Sequence, residues 1–552
     1  MALTTIAQPI LLGATALAAL YLIARGIYLY FFHPLARYPG PFLAKFTDLY
    51  GAYHALRGDI HLDMWRCHQK YGDHVRYGPN KLTFNTADGL RDIYSNSALG
   101  KIVKSDSYEP LVHRAPNTLT IRGGKEHARR RRIMSQGVSE KAQRGYEDRV
   151  VSHILNLCNA VFPVPQTNST IPTKEEASQW SEPLDMSEWC YYLSFDIMAD
   201  VVFSAKYNLL TSPKFRYVTS CIDASNVRMS VLIQAPWIAR LPIKLDKKIF
   251  RSAIQARNRF VKFVSRVVGD RLKKQAAASE LASKEIELAQ DDPVNEINGD
   301  VFSNLAAAKD PETGEGFAVN EIAAESTTLI VAGSDTTSTA FASILFYLAD
   351  NKSAYEKAAA EVRSKFSSRE EIFMGPALAS CTYLKACVDE AMRMSPPVGL
   401  ALWREVISPG GMVLDKTENI PAGTHVGVPL YSIHHSDKYY DSPFEYKPER
   451  WLEDDGTGSI ERGRSVFNPF SLGMRGCLGK GLANTEMMLT LATLLWTGDF
   501  KFAGGEKGLV GRGGSGEFKD VLGRQRKNEY QLFDHVTSQK MGPWLQFKAR
   551  GV

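Results

Sequence analysis

The stretch Phe470-Ser471-Leu472-Gly473-Met474-Arg475-Gly476-Cys477-Leu478-Gly479 places one cysteine directly after a glycine-rich turn. An apolar stretch of helical character follows it as far as Leu495. A thiol just before a helix start meets unpaired backbone N–H groups and the positive end of the helix dipole. Both favour the thiolate, the form of cysteine that binds metals. The segment therefore predicts a metal-binding thiolate at Cys477, and an ordinary buried thiol is the alternative.

The spacing of the aromatic, glycine, arginine and cysteine residues in this stretch resembles the haem-thiolate loop of the cytochrome P450 superfamily. The resemblance implies that Cys477 is the axial ligand of the iron of haem b, iron protoporphyrin IX. It also implies that Phe470 packs on the proximal side of the sulfur, and that Gly473 and Gly479 allow close backbone approach. Arg475 would reach a haem propionate as a charge-assisted donor.

A second motif, Ala332-Gly333-Ser334-Asp335-Thr336-Thr337, lies in a proline-free helical stretch from about Val319 to Leu348. Glycine in a helix interior costs about 1 kcal/mol relative to alanine, and consecutive threonines lower helix propensity further. Either a local opening of the helix or hydroxyl groups that bond back to the helix would explain this composition. The resemblance implies that Asp335 and Thr336 are an acid–alcohol pair that delivers protons to bound dioxygen.

Two further motifs contain the residues of an expected structural network. Glu390 and Arg393 are three residues apart on one helical face, and the helix is expected to end at Ser395-Pro396-Pro397. Alone, this spacing most often marks a solvated ion pair. The resemblance implies instead that Glu390 and Arg393 join Arg450, from Pro448-Glu449-Arg450-Trp451, in a buried network that positions the cysteine loop.

A basic segment, Lys125-Glu126-His127-Ala128-Arg129-Arg130-Arg131-Arg132, has the composition of a charged surface helix. His127 and Arg131 are four residues apart and therefore share one face. They match the WxxxR helix of the family, with histidine in place of tryptophan, which implies that both bind haem propionates. Arg404 resembles a further propionate ligand. The remaining arginines are expected to point outward, where a positive surface would speed encounter with an acidic electron donor.

The N-terminus has the composition of a membrane anchor. No charged residue precedes Arg25, and residues 5–24 would be about 30 Å long as a helix, which is the thickness of a hydrocarbon core. An extension of the helix to residue 32 is left open. A cleaved signal peptide is the alternative, but the apolar run is long and lacks a basic start. We therefore expect an anchor over residues 1–34, with the body in the cytoplasm by the positive-inside rule.

The body, residues 35–552, shows no break long enough for a linker and is expected to be one catalytic domain, mainly α with a small β portion. Short β-like runs occur at Val75–Tyr77 and Leu82–Phe84, and the tail Tyr530–Arg550 is a candidate hairpin. The net charge of +6, from 66 basic and 60 acidic residues, does not suggest a nucleic-acid binder. The seven scattered cysteines include no CxxC pair, which argues against a disulfide framework or a zinc site.

Because the motifs occur in family order along nearly the whole chain, it is identified as a member of the membrane-anchored cytochrome P450 group, similar to filamentous-fungal members of secondary metabolism. The resemblance implies a monooxygenase that inserts one oxygen atom from O2 into a lipophilic small molecule. It implies electrons from NADPH through NADPH–cytochrome P450 reductase, with cytochrome b5 as a further donor. A monomeric catalytic unit, anchored by a single pass in the endoplasmic reticulum membrane, is expected.

Two alternatives remain at this point. A haem-thiolate isomerase or dehydratase would need no external electrons, and a haem-binding sensor would have no turnover. Relatives of the first kind usually lack the acid–alcohol pair, whereas Asp335 and Thr336 are present here. A sensor would need a second protein ligand on the iron, and a proton relay argues against one.

Overall fold

The computed structural model describes residues 2–112, 115–163, 179–241, 245–286, 299–452 and 456–550, with the backbone alone for residues 2–11, 245 and 275–286. Most of the described chain is helical, as expected from the sequence. The helices are α1 (Ala2–Ile27), α2 (Leu49–Arg57), α3 (Ile60–Tyr71), α4 (Ala87–Tyr94), α5 (Gly124–Gly137), α6 (Glu140–Val161), α7 (Met186–Phe203), α8 (Tyr217–Gln234), α9 (Trp237–Arg240), α10 (Leu245–Ile249), α11 (Arg251–Ile286), α12 (Val301–Ala307), α13 (Val319–Asp350), α14 (Lys352–Lys365), α15 (Pro376–Ala379), α16 (Thr382–Met394), α17 (Leu430–His434), α18 (Ser459–Arg464) and α19 (Lys480–Thr497).

The β portion is small and divides into several sheets. The strands are β1 (His74–Gly78), β2 (Lys81–Phe84), β3 (Ile102–Lys104), β4 (Leu184–Asp185), β5 (Arg404–Val406), β6 (Met412–Leu414), β7 (Glu418–Ile420), β8 (His425–Gly427), β9 (Gly498–Phe502), β10 (Leu532–His535), β11 (Thr537–Lys540) and β12 (Trp544–Ala549). The largest sheet has the order β1-β2-β8-β5-β3, with β2 and β8 parallel. Strands β4, β12 and β9 form a second sheet, and β6-β7 and β10-β11 are hairpins.

The sequence-based strand assignments are confirmed. The runs at Val75–Tyr77 and Leu82–Phe84 lie in the antiparallel pair β1-β2. The tail does contain a hairpin, β10-β11, in which Asp534 pairs with Ser538. The hairpin ends before β12, because the last strand leaves it to pair with β9 and β4.

Helix α13 runs through the centre of the body and packs most extensively on α7. Its second half, Ala340–Leu348, is apolar almost all round and fully buried, which is the pattern of a helix enclosed by other elements. Helix α19 is similarly buried from Met487 to Trp496 and packs beside α6 and α14. Helix α13 contains the motif Ala332–Thr337, and α19 begins directly after the loop that contains Cys477.

The N-terminal helix α1 continues through a π-helical turn, Tyr28–Phe32. Leu12–Phe32 is apolar, long enough to cross a membrane and almost entirely exposed, whereas α13, of similar composition, is mostly buried in the body. The end of this apolar segment is held against the body by Arg76, whose side chain donates to the Leu29 carbonyl (2.8 Å) and whose backbone N–H donates to the Pro39 carbonyl (2.8 Å). The proline-rich junction therefore lies against β1.

Candidate functional site

The cysteine loop, Phe470–Gly479, is held by hydrogen bonds within its own backbone. The Cys477 N–H donates to the Phe470 carbonyl (2.8 Å), and the Gly476 N–H donates to Gly473 (3.0 Å). Gly473 has a φ of 62°, and a Cβ atom there would lie 2.5 Å from the Tyr94 carbonyl, so only glycine fits. At Gly479 a Cβ would meet nothing closer than the Cys477 sulfur at 3.9 Å, so the protein alone does not demand glycine at that position.

Cys477 differs from the other six cysteines, since all of those are buried whereas Cys477 is exposed. The protein nevertheless encloses the sulfur on most sides, and this burial raises the pKa of the Cys477 thiol. The backbone N–H groups of Gly479 and Lys480 and the charge of Arg131 act in the opposite direction. The helix start therefore favours the thiolate, in the direction that the sequence predicts, but burial outweighs it in the protein alone.

A cluster of basic side chains lies beside this loop, with Lys104, His127 and Arg404 buried and Arg131 and Arg475 half-buried. Arg131 donates to the Gly476 carbonyl (2.7 Å), and Arg475 donates to the Ile121 carbonyl (2.6 Å). Arg404 bonds to the backbone carbonyl of Trp403 (3.2 Å). All these partners are neutral carbonyls. Within the part of the chain that the structure describes, no carboxylate lies within ion-pair distance of the cluster, which consists of Lys104, His127, Arg131, Arg404 and Arg475.

The members of the basic cluster act on one another electrostatically. Burial lowers the pKa of His127 to about 3, and the charges of Arg475, Arg131, Lys104 and Arg404 contribute. Burial likewise lowers the pKa of Arg475 to about 10, again with help from Arg404 and Arg131. Buried positive charges without a counter-charge are costly. The cluster is therefore suited to a ligand that carries more than one negative charge.

Lys104 is a member of this cluster that the sequence analysis missed. It is buried at the end of β3, with its ammonium 4.1 Å from the centre of the Tyr108 ring. Burial, followed by the charges of Arg404 and Arg475, places the pKa of Lys104 well below its ordinary value. A single lysine in a short strand carries no motif, and only the pairing of β3 with β5 brings it beside Arg404.

Glu390, Arg393 and Arg450 are brought together in the interior. Two nitrogens of Arg393 donate to the two oxygens of Glu390 (2.9 Å each), and Arg450 Nε donates to one of the same oxygens (2.9 Å). Trp451 Nε1 and the Lys447 backbone N–H also donate hydrogen bonds to the Glu390 carboxylate. Burial alone would raise the pKa of Glu390, but the charges of Arg393 and Arg450 outweigh it, and the pKa is lowered.

The glycine of the helical motif has a packing role. A Cβ at Gly333 would lie 2.6 Å from the Met198 sulfur of α7, so the glycine lets α7 and α13 approach closely. The hydroxyl of Thr336 donates to the Ala332 carbonyl (2.7 Å), and Ser334 bonds back to Ile330 in the same way. Back-bonding hydroxyls therefore account for the polar residues, and α13 is continuous through the motif. Ala332 is nevertheless exposed in this otherwise enclosed helix.

Asp335 and Thr336 are adjacent in sequence, but their side chains have different partners. Asp335 is fully buried and accepts hydrogen bonds from Asn226 Nδ2 (2.8 Å) and from the hydroxyl of Thr537. Burial raises the pKa of Asp335, while Lys540 acts to lower it. The carboxyl group therefore lies on the side of α13 that faces α8 and the C-terminal hairpin.

The arginines next to His127 and Arg131 do not point freely outward, and that expectation is wrong. Nearby carboxylates of α5, α13 and the turn before α13 bind them, because the helix packs against acidic segments. Arg130 is the most buried of the three. The pairs are Arg129–Glu126 (2.9 Å), Arg130–Glu325 (3.3 Å) and Arg132–Asp310 (2.5 Å).

Comparison with known proteins agrees with this arrangement. The family model "Cytochrome P450" matches residues 39–508. The cytochrome P450 monooxygenase AKT7 of Alternaria alternata is 43% identical over 555 aligned residues, which cover 99% of both chains. The cytochrome P450 monooxygenase poxM of Penicillium oxalicum is 44% identical over 98% of this chain and 95% of its own length. A Gibberella zeae cytochrome P450 monooxygenase is 45% identical over 84% of this chain and 98% of its own. With an exposed thiol in a glycine-fixed loop and a family match over most of its length, this chain belongs to the cytochrome P450 family.

Proposed function

We propose that the chain is a haem-thiolate monooxygenase that oxidises a lipophilic small molecule in a fungal secondary-metabolite pathway. The reaction consumes the substrate, O2, NADPH and one proton, and it yields the hydroxylated product, water and NADP+. The observation that carries the proposal is the exposed Cys477 thiol beside a basic cluster that lacks a counter-charge. The kinship with named monooxygenases supports it.

The residues present fit a haem group. Its two propionates would supply the negative charge that the basic cluster lacks, and its iron would complete the deprotonation of Cys477. Ala332 of α13 and Cys477 are both exposed, so a bound group can reach both residues. We assign Cys477 as the residue that would bind the iron, and Lys104, His127, Arg131, Arg404 and Arg475 as the residues that would pair with the propionates. Phe470 and Gly473 shape the loop.

When bound, the haem supplies dioxygen activation, helped by electron donation from an axial thiolate. The chain's own residues tune and position that chemistry. The N–H groups of Gly479 and Lys480 donate to the sulfur of Cys477 and so limit its basicity. Thr336 holds its hydroxyl against the Ala332 carbonyl, and we assign Asp335 as the acid from which protons are drawn.

The function is tested with full-length protein, purified reductase and NADPH. Apolar candidate pocket segments, such as Val398–Leu402, favour a lipophilic substrate, so a panel of apolar small molecules is the appropriate probe. We expect product that contains one atom of 18O from 18O2, in amounts that depend on NADPH and reductase. Product formed equally well without NADPH would favour an isomerase or dehydratase and would contradict the proposal.

The replacement Lys104→Met is expected to weaken haem retention, because it removes a buried amine whose protonated form a propionate would stabilise. We expect haem loss to apomyoglobin to be about tenfold faster, since a charged hydrogen bond contributes roughly 1.5–3 kcal/mol. Lys125, the exposed first residue of the basic segment, supplies the control variant Lys125→Met. Equal rates of haem loss in Lys104→Met and the parent would remove Lys104 from the assigned set.

We propose that residues 1–34 anchor the protein by a single pass in the endoplasmic reticulum membrane, with a monomeric catalytic domain (residues 35–552) in the cytoplasm. The exposed apolar stretch Leu12–Phe32 supports the anchor. The stretch Asn351-Lys352-Ser353 matches the N-glycosylation sequon. Asn351 is half-buried and caps α14 by accepting a hydrogen bond from the Ala354 N–H (3.0 Å). We expect no glycan there and extraction from membranes only by detergent. Release by alkaline carbonate, or an endoglycosidase-sensitive mass shift, would contradict this topology.

The redox partner is proposed to be NADPH–cytochrome P450 reductase, with cytochrome b5 as a further donor. The surface next to the cysteine loop carries exposed Lys480 and Arg464, whose charges both act on Asp389 and therefore lie close together. Lys141 is exposed at the start of α6, which approaches the start of α19 through Gln143. An acidic partner would be attracted to this surface.

A further inference from the structure

A polar cluster lies between α8, α13 and the C-terminal hairpin. Asp335 of α13 is bonded there by Asn226 of α8 and Thr537 of β11. One turn further along α13, Ser338 accepts a hydrogen bond from Lys540 Nζ (2.7 Å). Because residues three apart share a helical face, β11 brings its ammonium group to the face of α13 that carries Asp335.

Asp223 belongs to the same cluster. It lies one turn before Asn226 on α8, and therefore on the same face of that helix. Gln539 Nε2 donates to the backbone carbonyl of Asp223 (2.7 Å), which fixes β11 against this turn. Asp223 is half-buried whereas Asp335 is fully enclosed. One oxygen of each carboxyl group is shielded from solvent and has no hydrogen-bond partner among the described residues.

The charges in the cluster do not balance if both acids are ionised. Lys540 is the cation that acts on both Asp223 and Asp335. The neighbouring groups on α7 are Tyr191 and Cys190, and burial raises the pKa of each, so they stay neutral near pH 7. Two buried carboxylates beside one ammonium repel each other, and such a pair titrates as a unit.

The pKa values agree with a shared proton. Burial, followed by the charge of Asp335, raises the pKa of Asp223 to about 7, while Lys540 acts to lower it. Burial also raises the pKa of Asp335. Near neutral pH the pair therefore changes its protonation with small changes in the surroundings, which is a property of proton donors in enzymes.

We propose that Asp223 and Asp335 form a carboxyl pair that holds one proton at neutral pH, and that Asp223, the member nearer to solvent, reloads Asp335 during turnover. The inference rests on the proposed monooxygenase function, which consumes protons. In the step, the carboxylic acid of Asp223 releases a proton to intervening water, water delivers a proton to the carboxylate of Asp335, and no electrons move. Solvent then reprotonates Asp223. Lys540 stabilises the negative charge in either location and is a positioning residue.

The shared proton can be measured without turnover. In infrared pH titrations of the haem-loaded, full-length protein, we expect the carbonyl stretch of a protonated carboxyl group to disappear as the pH rises through about 7. Asp223→Asn should remove this titration, and Lys540→Met should move it upward by about one pH unit or more. Glu486 and Asp534, each with a pKa raised to about 8 by burial, give a background common to all variants. An unchanged titration in Asp223→Asn would overturn the proposal.

Turnover supplies the second test. With reductase and NADPH, we expect Asp223→Asn to slow NADPH consumption about tenfold, less than the roughly 10²–10⁴-fold contribution of a direct general acid, because water can partly replace Asp223. The rate of this variant should also no longer depend on pH around neutrality. Asp223→Glu should restore most of the rate and most of its pH dependence. The exposed Asp270 of α11 supplies the control Asp270→Asn.

The two proposals fail in different ways. If Asp223→Asn keeps the thiolate spectrum and the parental rate and pH profile, the carboxyl pair is wrong while the monooxygenase stands. If the parent protein itself lacks a thiolate spectrum in its haem-loaded form, the proposed function is wrong.

Discussion

Cys477→Ala is expected to abolish the strongly red-shifted Soret band that the reduced, carbon monoxide-treated parent should show. The shift depends on thiolate ligation of the iron, and no other cysteine is exposed to replace this one. Monooxygenase activity should fall to an undetectable level, because electron donation from the thiolate is lost. The protein should still fold, since Cys477 lies at an exposed position of the loop and belongs to none of the hydrophobic core clusters. Absorption spectra, haem content and thermal unfolding together measure these outcomes.

The matched control is Cys158→Ala on α6. Cys158 is buried in the main core, so its replacement is expected to cost about 1 kcal/mol of stability while leaving the spectrum unchanged. The two variants therefore separate loss of the ligand from loss of packing. A red-shifted band that survives Cys477→Ala, or that is missing in the haem-containing parent, would refute the assignment of the iron ligand and with it the proposed function.

The fold was predictable because its signals are local and strong. The apolar N-terminal helix, the long helix α13 and the strands β1 and β2 each follow from composition or periodicity, and the motif order implies the family. What could not be predicted depends on tertiary contacts. Gly333 suggested an opening in α13, but the neighbouring Met198 of α7 explains it. Nothing in the sequence shows that α7 passes there.

The basic segment shows the same limit for the candidate site. The spacing of the charged residues indicates that His127 and Arg131 share one helical face, apart from the other arginines. It cannot show that Arg130 and its neighbours meet acids from elements far along the chain, such as Glu325. Nor could it find Lys104, which enters the cluster only through strand pairing. Sequence patterns therefore predict which residues share a helical face, whereas only the structure identifies the acidic partners of the other arginines.

Glu390→Ala is expected to give haem-free or insoluble protein rather than a folded, slow enzyme. Glu390 and Arg393 are both fully buried, and removal of the carboxylate leaves Arg393 and Arg450 without their anionic partner. Breaking such a pair costs about 3–5 kcal/mol, a large part of the roughly 5–15 kcal/mol by which a domain is stable. Arg393 also donates to the His434 carbonyl (2.8 Å), and His434 packs on Phe467, three residues before the cysteine loop. Loss of Glu390 is therefore expected to disturb the position of the loop.

Glu449→Ala is the matched control within the neighbouring motif. Glu449 is half-buried and accepts from Lys357 (2.7 Å) and Tyr383 (2.7 Å), so its loss is expected to cost about 1 kcal/mol or less. Soluble yield, haem content and unfolding by denaturant compare the two variants with the parent. A folded, haem-loaded Glu390→Ala protein with parental stability would contradict the structural role of the network.

The same network should set the acid stability of the protein. Because the folded-state pKa of Glu390 is lower than its ordinary value of 4.5, ionisation of this group stabilises the folded protein at neutral pH. That contribution begins to decline below about pH 4.5 and is lost as the pH falls through the folded-state value. Glu390→Gln keeps the shape of the side chain but removes its charge. Its stability deficit should therefore be largest at neutral pH and should shrink in acid, whereas a deficit independent of pH would mean that shape, and not charge, holds the network.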